Sequence, residues 1–74
     1  MDAIDFSLRG EHITLDALLK ATGLADSGGG AKRLIAGGAV QFNGEVETRR
    51  GRKLCPGDAV ELAGHCVRLQ AATA

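Results

Sequence analysis

Residues 27–46 read Ser27-Gly28-Gly29-Gly30-Ala31-Lys32-Arg33-Leu34-Ile35-Ala36-Gly37-Gly38-Ala39-Val40-Gln41-Phe42-Asn43-Gly44-Glu45-Val46. Two signals stand side by side in this stretch. Ser27 is a good helix N-cap, and Ala31, Leu34 and Ile35 recur at helical spacing on one face. Gly37-Gly38 then stops the helix, since glycine adopts the left-handed conformation that follows a helix end. Immediately afterwards Val40-Gln41-Phe42 runs into Asn43-Gly44, a strong two-residue hairpin signal, and returns through Glu45-Val46-Glu47. A helix feeding a tight hairpin within twenty residues predicts a mixed fold. The three glycines raise a separate question, because each interior glycine costs a helix about 1 kcal/mol relative to alanine.

Working outward, Ile4, Phe6 and Leu8 alternate with Asp5, Ser7 and Arg9, which predicts a half-buried N-terminal strand. Gly10-Glu11-His12 turns the chain. Thr14 is placed to cap a short helix from Leu15 to about Ala21, ended by Gly23, with Leu15, Leu18 and Leu19 on its apolar face. Ile13 and Leu18 have the spacing of a hydrophobic staple. After the first hairpin, Thr48 to Lys53 (TRRGRK) reads as a basic loop and Pro56-Gly57 as a turn. A second hairpin spans Asp58–Leu62, Ala63-Gly64 and His65–Leu69, with Val60 facing Val67, Leu62 facing His65 and Glu61 facing Cys66. Gln70 to Ala74 is expected to fray. The fold class is α+β: an N-terminal strand, two short helices, then a small, mostly antiparallel sheet of short strands. The whole of residues 1–74 reads as one domain.

The chain is formally neutral, with nine basic and nine acidic residues. Their distribution is uneven. Residues 27–53 carry Lys32, Arg33, Arg49, Arg50, Arg52 and Lys53 against Glu45 and Glu47, a balance of +4, whereas residues 1–26 stand at −3. Such asymmetry points to an anionic partner. Phe6 and Phe42 are the only aromatics, so the chain lacks the platforms on which single-stranded bases stack in succession. No phosphate-loop motif accompanies the glycines. Cys55 and Cys66 form no C-x-x-C pair and read as reduced thiols of a cytoplasmic protein; with His12 and His65 they show no metal-ligand or nucleophile spacing. His65 is read as a packed side chain. Neither a cofactor nor an enzymatic activity is expected. MDAIDF has no signal-peptide core, and no apolar run approaches the ~18 residues of a membrane span.

The run AKRLIAGGAVQFNGEVETRRGRKLCPGDAVEL resembles the RNA-binding domain named after ribosomal small-subunit protein four, the alpha-L motif. The resemblance lies in Arg33-Leu34-Ile35, Gly38, Val40, Asn43-Gly44, Val46, the basic stretch Arg49 to Lys53, and Pro56-Gly57-Asp58. It covers about residues 14–62, and the ending AGHCV is similar to that of small stand-alone YbcJ-type bacterial members. The chain departs from the pattern at Gly29-Gly30, where many members carry a polar or basic residue.

The resemblance implies docking on structured RNA, ribosomal or precursor, alone or alongside ribosomal assembly proteins, without catalysis. Carried over by position, it implies an RNA-facing set of Ser27, Lys32, Arg33, Arg49, Arg50, Arg52 and Lys53. Gly29 joins this set because it shares the solvent arc of the second helix with Lys32 and Arg33, where a bare backbone admits a phosphate. The molecule is expected to be a monomer. The alternative is an assembly module whose basic face meets an acidic protein.

Overall fold

The computed structural model describes residues 2–72. Its elements follow the chain as β1 (Asp2–Leu8), β2 (Ile13–Thr14), α1 (Leu15–Ala21), α2 (Gly28–Ala36), β3 (Val40–Phe42), β4 (Glu45–Val46), β5 (Lys53–Leu54), β6 (Ala59–Leu62) and β7 (His65–Ala71). Five strands form one sheet in the order β1-β7-β6-β3-β4, and β2 pairs with β5 in a separate two-stranded ladder. All pairings are antiparallel except β1 with β7.

Both hairpins form where expected, and the second has the expected register. Asn43 and Gly44 take positive φ (49° and 88°), as do Ala63 and Gly64 (52° and 83°), the condition for two-residue turns that match strand twist. Leu62 lies opposite His65, Val60 opposite Val67 and Glu61 opposite Cys66. Asn43 also ties the first hairpin to the Pro56-Gly57 turn. Its Oδ1 accepts from the Ala59 N–H at 2.8 Å, and its Nδ2 donates to Asp58 Oδ1 at 3.3 Å. Asp58 Oδ2 in turn accepts from the Cys55 N–H at 2.8 Å, closing the turn. The Asn-Gly and Pro-Gly-Asp pieces, 13 residues apart, are thus one hydrogen-bonded corner.

The helices cover one face of the sheet. Leu15, Leu18 and Leu19 of α1 and Ala31 and Ile35 of α2 enter one core with Val40, Val60, Val67 and Leu54. On β1, Ile4, Phe6 and Leu8 turn inward while Ala3, Asp5 and Ser7 are exposed, the alternation the sequence carries. The other sheet face bears the aligned row Ala3, Cys66, Glu61, Gln41 and Val46. His65 and Leu34 are half-buried.

Helix α2 begins and ends as its sequence dictates. Ser27 Oγ accepts from the Gly30 N–H at 3.1 Å. At the far end Gly38 has φ +80°, the Gly38 N–H donates to the Ile35 carbonyl and the Ala39 N–H to the Leu34 carbonyl, a Schellman closure.

Three expectations need correction. Thr14 occupies the N-cap position of α1 but makes no side-chain cap; its hydroxyl donates instead to Asp16 Oδ1 at 2.6 Å. Residues 48–53 are not all loop, because Lys53 begins β5, which pairs with residues 13–14. Gln70 and Ala71 do not fray. They continue β7 opposite Ser7 and Leu8, and the Ala72 N–H donates to the Leu8 carbonyl. Residues 73–74 of the expected tail lie outside the described residues.

Asn43→Ala should lower stability by about 2 kcal/mol, combining left-handed strain with the loss of two side-chain hydrogen bonds. Asn43→Gly, which relieves the strain alone, should cost about half as much; urea unfolding of the pair separates the contributions. Neither φ nor packing requires glycine at 29, where a Cβ would meet only Ser27 Oγ at 3.9 Å. Gly29→Ala should therefore stabilise by up to about 1 kcal/mol, read as a melting temperature raised by several degrees.

Candidate nucleic-acid interface

The basic residues fall into two groups on different elements. Lys32 and Arg33 lie exposed on α2. Arg33 borders a hollow with Asp26, Ser27, Gly29 and Gly30, so three of the expected site residues, Ser27, Gly29 and Arg33, line it together. Ser27 is exposed, with its hydroxyl oxygen already engaged by Gly30. Arg49, Arg52 and Lys53 border a second hollow with Gly51. The two hollows share no lining residue. Arg49, Arg52 and Lys53 thus line one hollow together and Arg33 another, while Arg50 and Lys32 are exposed and line neither. Helix α1 links the two groups, packing on α2 and holding the loop at its own N-terminus.

That hold is made by main chain. A helix start leaves its first N–H groups without partners. Here the Leu15 N–H donates to the Arg52 carbonyl at 2.9 Å and the Asp16 N–H to the Arg50 carbonyl at 3.1 Å. The β2–β5 ladder continues the attachment through Ile13 with Leu54 and Thr14 with Lys53. Carbonyls point inward onto α1, and Arg50 and Lys53 stay exposed. Asp16 sits at this junction. The Thr14 hydroxyl, helped by the Ala17 N–H and the nearby Arg50 charge, holds its carboxyl below the ordinary aspartate range.

Glu47 is the second anchor and was not among the expected site residues. It is the one buried charged side chain among the described residues, at 8 % exposure. Its Oε2 accepts from Arg49 Nε at 3.2 Å and from the Arg49 N–H at 3.3 Å, and its Oε1 from Arg49 Nη2 at 3.3 Å. Arg52 Nη1 lies 3.7 Å from the same Oε1. The bonds from Arg49 lower the Glu47 carboxyl below its ordinary value and raise the Arg49 guanidinium. Arg52 also rests on Phe42, its guanidinium carbon 4.5 Å from the ring centroid. The sequence offered one local sign of this arrangement, the spacing Glu47-Thr48-Arg49. Phe42 carried none, because its partner is ten residues away.

Among the described residues no three His, Cys, Asp or Glu side chains converge as metal ligands, and no helix is long and apolar enough to cross a membrane.

Two short helices over a mixed sheet, with a basic loop pinned to the first helix, define a small module of the alpha-L type. Residues 6–70 match the S4 domain, and the chain belongs to that family. It is 45 % identical over 60 residues to "Putative RNA-binding protein YbcJ" of Escherichia coli (strain K12), covering 81 % of this chain and 86 % of that protein. It is 45 % identical over 58 residues to "Probable ribosome maturation protein RlbA" of Bacillus subtilis (strain 168), covering 78 % and 82 %. The solution structure of Escherichia coli YbcJ, described as revealing an alpha-L motif involved in RNA binding, superposes with a TM-score of 0.72 at 42 % identity over 96 % of this chain and 91 % of that one.

A carboxyl whose folded pKa is depressed stabilises the fold above its unfolded value and loses that contribution as pH falls through the folded value. Glu47→Gln should therefore melt below the parent at pH 7, and the gap should close as pH falls below about 4.5, the ordinary glutamate value. Paired melting curves from pH 7 to pH 2.5 measure it; a gap that stays constant with pH would contradict the role assigned to the Glu47 charge.

Proposed function

We propose that this protein is an RNA-binding module that docks its two basic clusters on the phosphates of a folded RNA. The observation that carries the reading is the pinned loop. Its backbone is committed to α1 and Glu47 is buried beneath Arg49 and Arg52, so the path of the loop and the two guanidiniums are fixed before any ligand arrives. Preorganised cations neutralise phosphates and release counterions. Both phenylalanines are half-buried, so successive stacking of a single strand has no open platform here, and shape, phosphates and 2′-hydroxyls of A-form RNA become the recognition elements. The names of the relatives support RNA binding and a ribosomal setting; ribosomal or precursor RNA is the substrate class we assign, with the protein acting in the cytoplasm as a monomeric binder without chemistry of its own.

The residues divide by role. Lys32, Arg33, Arg50 and Lys53 make none of the described ion pairs and are the phosphate ligands. Arg49 and Arg52 divide their charge between Glu47 and the ligand. Gly29, next to Ser27, keeps the first turn of α2 bare beside Arg33.

Binding to a paired RNA hairpin, followed by fluorescence anisotropy, should weaken with salt at a log–log slope of about −3 to −4, corresponding to about four phosphate contacts. Lys32→Ala with Lys53→Ala should flatten the slope by about 2 and leave melting unchanged, because exposed charges contribute little to folding. Arg68→Ala, on the outer face of β7, should change neither. A slope near zero would refute the phosphate reading.

A further inference from the structure

Beside the β3–β4 hairpin lies a hollow whose chemistry differs from that of the phosphate-binding clusters. Its apolar part is Phe42 and Val46; Val46 is 57 % exposed, the one exposed large hydrophobic among the described residues. Its polar part sets two carboxylates, Glu45 and Glu47, against two guanidiniums, Arg49 and Arg52. The charges balance, so a phosphate gains little there. A flat, uncharged ring with a polar edge gains both apolar contact and hydrogen bonds.

Arg52 supplies the plane for such a ring. One face of its guanidinium lies over Phe42 at 4.5 Å, Glu47 holds its Nη1 at 3.7 Å, and its carbonyl is fixed by the Leu15 N–H. Its side chain is nevertheless 38 % exposed. Guanidinium planes are stacking surfaces for unpaired RNA bases, and this one is held in place in advance. Arg49 and Arg52 also border the neighbouring hollow with Gly51 and Lys53, which contains no acid. A balanced, partly apolar hollow therefore adjoins a purely cationic one, matching the two ends of a nucleotide.

We propose that these adjoining hollows hold one unpaired nucleotide of the RNA, its base stacked on Arg52 beside Val46 and its phosphate against Lys53. The proposal rests on the RNA-binding reading and adds to it: the protein selects a folded RNA by a base extruded from the helix at a bulge, as well as by its phosphates.

The test compares two RNA hairpins with the same stem, one fully paired and one carrying a single bulged nucleotide. The parent protein should bind the bulged hairpin about tenfold more tightly, within the range for one stacked base. Arg52→Lys keeps the charge but removes the plane. It should bring the preference for the bulged hairpin to within about twofold, and the ratio of the two affinities cancels any loss of phosphate contact that both hairpins share. Phe42→Leu, which removes the ring beneath Arg52, should do the same, and melting curves identify whichever variant stays folded. Equal affinity of the parent for both hairpins, or an undiminished preference in a folded variant, overturns the nucleotide site and leaves the phosphate reading standing. Absence of salt-dependent binding to either hairpin overturns the phosphate reading itself. Adenosine 5′-monophosphate binding as tightly as the bulged hairpin would place a free nucleotide in the site and overturn the proposal.

Discussion

The carbonyls of Arg50 and Arg52 close the N-terminus of α1, and much else in the molecule depends on that closure. The helix has seven residues, too few to be stable in isolation. It starts without a side-chain cap, because the Thr14 hydroxyl turns to Asp16. The loop that supplies its missing acceptors has no regular structure until Lys53 and would otherwise be free to move. Each makes the other possible. The three leucines of α1 then fill the core under the sheet, and Leu54, immediately after the loop, joins them. The basic loop is thus welded to the hydrophobic core through a few backbone hydrogen bonds and one buried residue.

Within this frame a carboxylate sits where a basic surface would seem least to need one. Glu47 costs the surface a full negative charge, yet it fixes two long, rotamer-rich side chains that would lose more freedom on binding if they began unrestrained. The guanidinium fork suits this double duty, since it presents several donors in one plane and can satisfy Glu47 on one edge while keeping others outward. The nominal +4 of residues 27–53 consequently divides into cations that orient and cations that remain available.

Much of this was legible in the residues. Both hairpins were marked by Asn43-Gly44 and Ala63-Gly64, and α2 by Ser27 at one end and Gly37-Gly38 at the other, because these signals act within a few residues. The two-residue ladder of Ile13 and Thr14 with Leu54 and Lys53 was not legible: it has no periodicity of its own and joins segments some forty residues apart. Thr14 had the right identity and position for a cap, but a nearer acceptor in Asp16 and the arriving carbonyls displaced it. The candidate cations were legible by type. Their division into two clusters, and the burial of Glu47 and engagement of Phe42 beneath one of them, arise from contacts that only the fold creates.

The parallel pairing of β1 with β7 bears on how the chain is closed. Every rung joins residues 63 apart, from Asp2 with His65 to Leu8 with Ala71. Loop-closure entropy for such a span is incurred once, at the first rung, on the order of 4 kcal/mol, and grows only slowly with length. Later rungs add stabilisation without a further closure term. A two-residue ladder like those elsewhere in this molecule could not offset that cost, whereas seven consecutive rungs with Ile4, Phe6 and Leu8 turned inward can. The longest strands among the described residues are the pair that closes the widest circle, where one closure cost is shared by seven rungs.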